Sequence, residues 1–143
     1  MKAQPEMLDL PGTKVFATAG QGIGTGGPYS VAFANETYDD KGWHDNVTNN
    51  QLITVDFTGR VSIVGHLEIT SSAALNLSVY IYKNNTYFSA VFHYIPLASS
   101  GLGYIIMDDI PCVPGDTFEI RAATTSGTIT IGANSTFSVK RIK

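Results

Sequence analysis

The chain has 143 residues, of which 43% are hydrophobic and only 15% charged, with a formal net charge of −3. That length makes one ordinary domain, large enough to bury most of its apolar surface. The charged fraction falls well below the roughly 25% usual for soluble domains, so part of the surface is expected to be covered by a partner. The only basic cluster is Lys140, Arg141 and Lys143, which excludes the long positive stripe that tracks nucleic-acid phosphates. No apolar run of membrane-spanning length occurs, and none of signal-peptide length follows Met1-Lys2-Ala3-Gln4-Pro5-Glu6. The expectation is a protein made in a cytoplasm that does not enter a membrane.

Residues 1–28 read as an N-terminal arm and tether. The apolar side chains Met7, Leu8, Leu10, Val15 and Phe16 stand among prolines, and Gly20-Gln21-Gly22-Ile23-Gly24-Thr25-Gly26-Gly27-Pro28 places five glycines in eight residues. Such a stretch holds no strand or helix by itself, so the arm is expected to order only where another surface receives its apolar anchors. Gly22, Gly24 and Gly27 have the spacing of a dinucleotide-binding fingerprint. That motif must open a helix, whereas Pro28 and a strand-like segment follow it here, so no cofactor is expected.

Beyond the tether, a domain over 29–143 reads as strands at 30–34, 52–57, 60–70, 75–83, 87–95, 103–109, 117–123, 127–131 and 136–142. Turn residues separate them: Thr58-Gly59, Asn84-Asn85, Ser99-Ser100-Gly101, Pro114-Gly115-Asp116, Thr125-Ser126-Gly127 and Gly132-Ala133-Asn134. Short strands at this spacing, with no room for a long helix, predict an all-β sandwich or barrel.

The strand faces carry a second message. Segment 60–70 alternates, with Val61, Ile63, Gly65, Leu67 and Ile69 on one side and mostly polar residues on the other, as a half-buried strand should. Segments 75–83 and 87–95 are apolar on both sides, since Tyr80, Tyr82, Phe92 and Tyr94 lie among Leu77, Val79, Ile81 and Val91. One side of each faces the core, and the aromatic side predicts contact between subunits.

The search for chemistry yields little. His44, His66 and His93 have no spacing that defines a catalytic or metal site, and there is no Gly-x-Ser-x-Gly elbow, so no enzyme is expected. The carboxylates Asp39, Asp40, Asp45, Asp108, Asp109 and Asp116 lack the alternation of a calcium loop, and no metal is assigned. Cys112, the single cysteine, is read as a small buried hydrophobe. The sequons at Asn35, Asn46, Asn76, Asn84 and Asn134 are read as polar turn and strand residues, because no secretory route is evident. Trp43 and His44 form a possible ligand-facing loop, with Tyr29 and Tyr38 as further loop aromatics; the alternative is that Trp43 plugs one end of the sandwich.

Taken together, Trp43-His44-Asp45-Asn46-Val47, Ile53-Thr54-Val55, Gly59-Arg60-Val61-Ser62-Ile63, Val79-Tyr80-Ile81-Tyr82-Lys83-Asn84, Val113-Pro114-Gly115-Asp116-Thr117-Phe118-Glu119-Ile120 and Ser135-Thr136-Phe137-Ser138-Val139 resemble the jelly roll of the complement globular head and tumour necrosis factor family. They look most like its bacteriophage virion versions. The resemblance covers about residues 29–143 and implies an antiparallel sandwich of about eight to ten strands that forms a homotrimer, binds macromolecules and has no active site. Tyr80, Tyr82, Phe92 and Tyr94 would then line the trimer contact. In phages it implies either a capsid decoration (cement) protein or a receptor-binding tail-fibre tip. The first is favoured, with Met7, Leu8, Leu10, Val15 and Phe16 as the arm contacting the major capsid protein on the outer capsid surface. The alternative tip would recognise a host saccharide through Trp43 and His44.

Overall fold

The structure, a computed structural model, describes residues 10–17 and 20–143. Its strands in chain order are β1 (Gly12–Phe16), β2 (Gln21–Ile23), β3 (Gly26–Ser30), β4 (Asn35–Asp39), β5 (Ile53–Thr54) and β6 (Gly59–Ser71), then β7 (Leu75–Lys83), β8 (Thr86–Ile95), β9 (Ser99–Cys112), β10 (Thr117–Thr124), β11 (Ile129–Ile131) and β12 (Thr136–Arg141). Every named pairing is antiparallel.

Two sheets result. The first runs β4-β1-β12-β6, with β11 and then β2 continuing from the far end of β6, and with β9 along the other side of β6. The second runs β3-β10-β7-β8, with β5 added to β10. Strand β6 is long enough to hold β12 and β11 in succession on one flank and β9 on the other. Its period-2 pattern fixes the register: Val61, Ile63, Leu67 and Ile69 are fully buried, facing Leu77, Val79, Ile81, Phe118 and Ile120 of the second sheet. Each such side chain removed from water contributes about 1.5–3 kcal/mol. Gly65 leaves no room for a side chain between the sheets, since a Cβ there would lie 2.9 Å from Ile120 Cδ1.

The Asn84-Asn85 turn joins β7 to β8 with φ of 50° and 60°. Asparagine tolerates that left-handed pair better than most residues, so the tight hairpin read from sequence forms.

Three sequence expectations need correction. The strand expected at 30–34 is instead an extended crossing between β3 and β4, although Val31 and Phe33 are fully buried there. Val31 N–H still donates to Ile120 of β10, but Phe33 N–H donates to Asn50 in a loop, so no ladder continues. Among the described residues there are 12 strands, above the expected eight to ten. The surplus comes from the third correction: residues 12–17 and 20–28 belong to the sandwich and are no arm or tether.

Strand β1 lies between β12 and β4, and Val15 is fully buried in the core, while Phe16 and Leu10 are half-buried. Thr13 Oγ1 donates to Asp39 Oδ1 at 2.6 Å. The glycine-rich run forms β2 and β3, pairing with β11 and β10. Their hydrogen-bond partners come from outside the run, which composition alone does not reveal. The Gln21 amide also grips Ala32, donating to its carbonyl at 2.6 Å and accepting its N–H at 2.8 Å. Met7 and Leu8 lie outside the described residues.

Candidate functional site

The loop after β4 folds inward. Trp43 is 4% exposed and stacks on Phe57 at 5.5 Å between ring centroids, and its Nε1–H donates to Asp56 at 2.9 Å. His44 Nε2 lies 2.9 Å from the Asn50 carbonyl oxygen, which only accepts, so that nitrogen donates; Nδ1 faces Glu36 Oε1 at 3.0 Å. The backbone N–H groups of Trp43 and His44 both donate to the Asp39 carboxylate, at 2.9 and 3.1 Å. Trp43 and His44 also line an open cleft together with Asp45, Thr48, Asn49 and Leu52. Both side chains fasten the loop to the sandwich end, because the sequence supplies Asp39, Glu36 and Asp56 at the distances their donors need.

Several carboxylates elsewhere are also committed to structure. Thr48 and Val47 N–H groups bond the Asp45 carboxylate and hold its pKa below the ordinary value. Asp40 accepts from Gly12 N–H, and Asp109 accepts from Arg60 Nε, each at 3.0 Å. Burial, followed by the charge of Asp116, pushes the Cys112 thiol pKa up, which keeps it unreactive. Among the described residues no group of three or more His, Cys, Asp or Glu side chains is placed to hold a metal.

What the chain presents outward is aromatic and apolar. Strand β8 forms one edge of the second sheet and β9 one edge of the first. From these edges Phe92 (70% exposed), Tyr94 (68%), Met107 (67%) and Ile105 (56%) stand out, with Leu97 in the connection between them. Tyr80 and Tyr82 behave differently. They lie on the outer face of β7, half-buried because neighbouring rings pack edge-to-face on them: Tyr80 meets Tyr82 and Tyr87 at 6.0 Å and Phe92 at 6.3 Å. Of the four aromatic residues singled out in the sequence, Tyr80 and Tyr82 belong to an edge-to-face ring cluster, Phe92 protrudes while packing on Tyr80, and Tyr94 protrudes from the edge.

Sequence reasoning missed Ile105 and Met107. Their signal was present, since Ile105 and Met107 flank Ile106 in a segment apolar on both sides, the same pattern that singled out β7 and β8. It also missed Tyr87 and Arg121, which join the ring cluster only through strand register.

No protein-family model and no curated protein matches this sequence. Solved structures do match the fold. The globular domain of the zebrafish complement 1qA protein aligns with a TM-score of 0.65 at 14% identity, covering 93% of this chain and 98% of that chain. The fold is an all-β jelly-roll sandwich of the complement globular head type, as the sequence resemblance implied. The aligned span is longer than residues 29–143, in keeping with a sandwich that includes the strands before residue 29.

Proposed function

We propose that this protein is a homotrimeric, non-catalytic binding module carried on a bacteriophage particle, where it decorates the outer capsid surface and ties neighbouring major capsid subunits together. The observation that carries the trimer is the pair of long edge strands, β8 and β9, with Phe92, Tyr94, Ile105 and Met107 standing more than half exposed along them. Uncovered apolar edges of this length invite uncontrolled pairing, and natural sheets normally blunt them with charge or proline. A second and third copy seated against these edges supplies the cover. The low charged fraction of 15% fits a surface that spends its life in contact with other chains. The capsid setting rests on the sequence resemblance to virion versions of the jelly roll. The saccharide-tip alternative draws on the cleft lined by Trp43 and His44, where the tryptophan is 4% exposed and the imidazole is already hydrogen-bonded to Glu36 and Asn50.

Sedimentation of the purified chain tests the trimer: a species near three times 15.3 kDa is expected, and a 15.3 kDa particle at high concentration overturns it. Co-sedimentation with undecorated phage heads tests the setting. Saturable occupancy of the heads is the expected result, and heads that pellet without the protein refute the decoration role while leaving the trimer standing.

A further inference from the structure

The ring cluster on the second sheet meets the protruding edge at Phe92, which packs on Tyr80. Register places Tyr82 between Glu119 of β10 and Tyr87 of β8, and Tyr80 between Arg121 and Ala90. One step along, Ser78 lies between Ala123 and Phe92. Small residues therefore alternate with rings beside Tyr80. The rings of Tyr80, Tyr82 and Tyr87 hold one another edge-to-face, with interplanar angles of 71°, 75° and 85°. Arg121 lies flat over Tyr82, its Cζ 4.0 Å from the ring centroid.

The polar groups around these rings point to a ligand class. Glu119, 3% exposed, accepts from Ser30 Oγ at 2.7 Å and from Arg121 Nε at 2.8 Å. Arg121 Nη2 also donates to Glu119 and to Asn85 Oδ1. The guanidinium is thus neutralised from below and fixed in place, and the face carries no net charge with which to hold an anion or a cation. Among the described residues the Tyr80, Tyr82 and Tyr87 hydroxyls, Arg121 Nη1 and the Asn85 amide nitrogen have no hydrogen-bond partner in the chain. A pre-packed tyrosine cluster ringed by unpaired hydroxyl, amide and guanidinium groups matches the two sides of a pyranose: an apolar C–H face to pack on the exposed Tyr87 ring and equatorial hydroxyls to bond. Because the rings and the guanidinium are already held, binding orders little.

We propose that this face, built on Tyr80, Tyr82, Tyr87 and Arg121, is a binding site for neutral oligosaccharides. It lies apart from the Trp43 loop and gives a particle-borne module a means of adhering to a glycan-coated surface.

The test places the full-length chain on an array of neutral and sialylated oligosaccharides and follows hits by isothermal titration calorimetry. Binding of one or more neutral oligosaccharides is expected, weakened about tenfold by Tyr87→Ala, as removal of an aromatic anchor does, with sedimentation unchanged. Should Tyr87→Ala fail to fold, the double variant Tyr80→Phe with Tyr82→Phe takes its place, since it keeps the rings and removes two hydroxyls. An array blank for neutral sugars at millimolar concentration overturns the proposal, as does binding of sialylated sugars alone. Affinity unchanged in the variant places the sugar elsewhere and does the same. A Tyr87→Ala chain that changes assembly state assigns the face to subunit contact and also ends it. Sedimentation reads the trimer and calorimetry reads the sugar, so either reading can fail without the other.

Discussion

Asp116 is where local sequence and long-range packing meet. The turn Pro114-Gly115-Asp116 is plain in the sequence, and Gly115 takes the φ of 91° that such a reversal requires. What the sequence does not reveal is that this turn interlocks with another. Asn84 Nδ2 donates to Asp116 Oδ1 at 2.8 Å while its Oδ1 accepts from Thr117 N–H at 2.8 Å, and Val113 N–H donates to Asp116 Oδ2 at 2.8 Å. Burial pushes the Asp116 carboxyl up, but Asn84, the Val113 N–H and Lys83 together outweigh it and leave the pKa below the ordinary 3.8. A carboxyl depressed in the folded state stabilises above its unfolded value, and that stability is lost as pH falls through the folded one. Urea unfolding measured from pH 7 downward should therefore show a loss beginning near pH 4, with a flatter slope there in Asp116→Asn. At neutral pH the same variant should be about 1–3 kcal/mol less stable, the usual worth of hydrogen bonds to a charged group. A variant with the parent's stability and pH profile would show the interlock to be idle. Trp43 and His44 teach the same lesson in reverse: their residue types fit a ligand loop, and only the distances to Asp39, Glu36 and Asp56 turn them inward.

Among elements, β6 to β8 and β10 to β12 were legible because each carries its own period-2 signal and its own turn, whereas the turn expected at Ser99-Ser100-Gly101 is instead the start of β9. Strands β1 to β3 were not, because half of their evidence sits on other strands. Five glycines in eight residues look like a tether in isolation, yet β11 and β10 supply the missing hydrogen bonds. Truncation distinguishes the two descriptions. A chain beginning at residue 21 lacks β1, which strips β12 and β4 of their shared neighbour and removes the fully buried Val15. It should lose cooperative thermal unfolding, whereas an arm could be removed without any such effect; a sharp, unshifted melt of the truncated chain would restore the arm. Strands β8 and β9 make the complementary case, since their core faces are ordinary and their outer edges are apolar. Met107→Lys places a charge on an edge position that is 67% exposed in the single chain. A folded monomer would accept it with a stability change within about 0.5 kcal/mol. A trimer sealed along this edge would come apart, so sedimentation should move toward 15.3 kDa with the circular dichroism of the sheets unchanged. An intact trimer in that variant would remove β9 from the contact.

For the whole molecule, the sandwich is self-sufficient in its core and incomplete at its edges, and that division has a thermodynamic consequence. Two sheets enclose a continuous apolar cluster from Val15 to Val139, so each chain can fold around its own interior. Whatever stability the assembly adds then depends on concentration, because unfolding of a trimer releases three particles from one. Mass action for that stoichiometry adds about 0.9 kcal/mol per chain for each tenfold rise in protein. For a domain of this size such an increment moves the melting temperature by about 2–4 °C. Melts of the purified protein across a hundredfold range of concentration should therefore rise steadily, and Met107→Lys should flatten the dependence. A melting temperature fixed across that range in the parent chain would mean that its exposed rings and methyl groups stay in water, and that the edges of β8 and β9 are kept from aggregating by something other than copies of this chain.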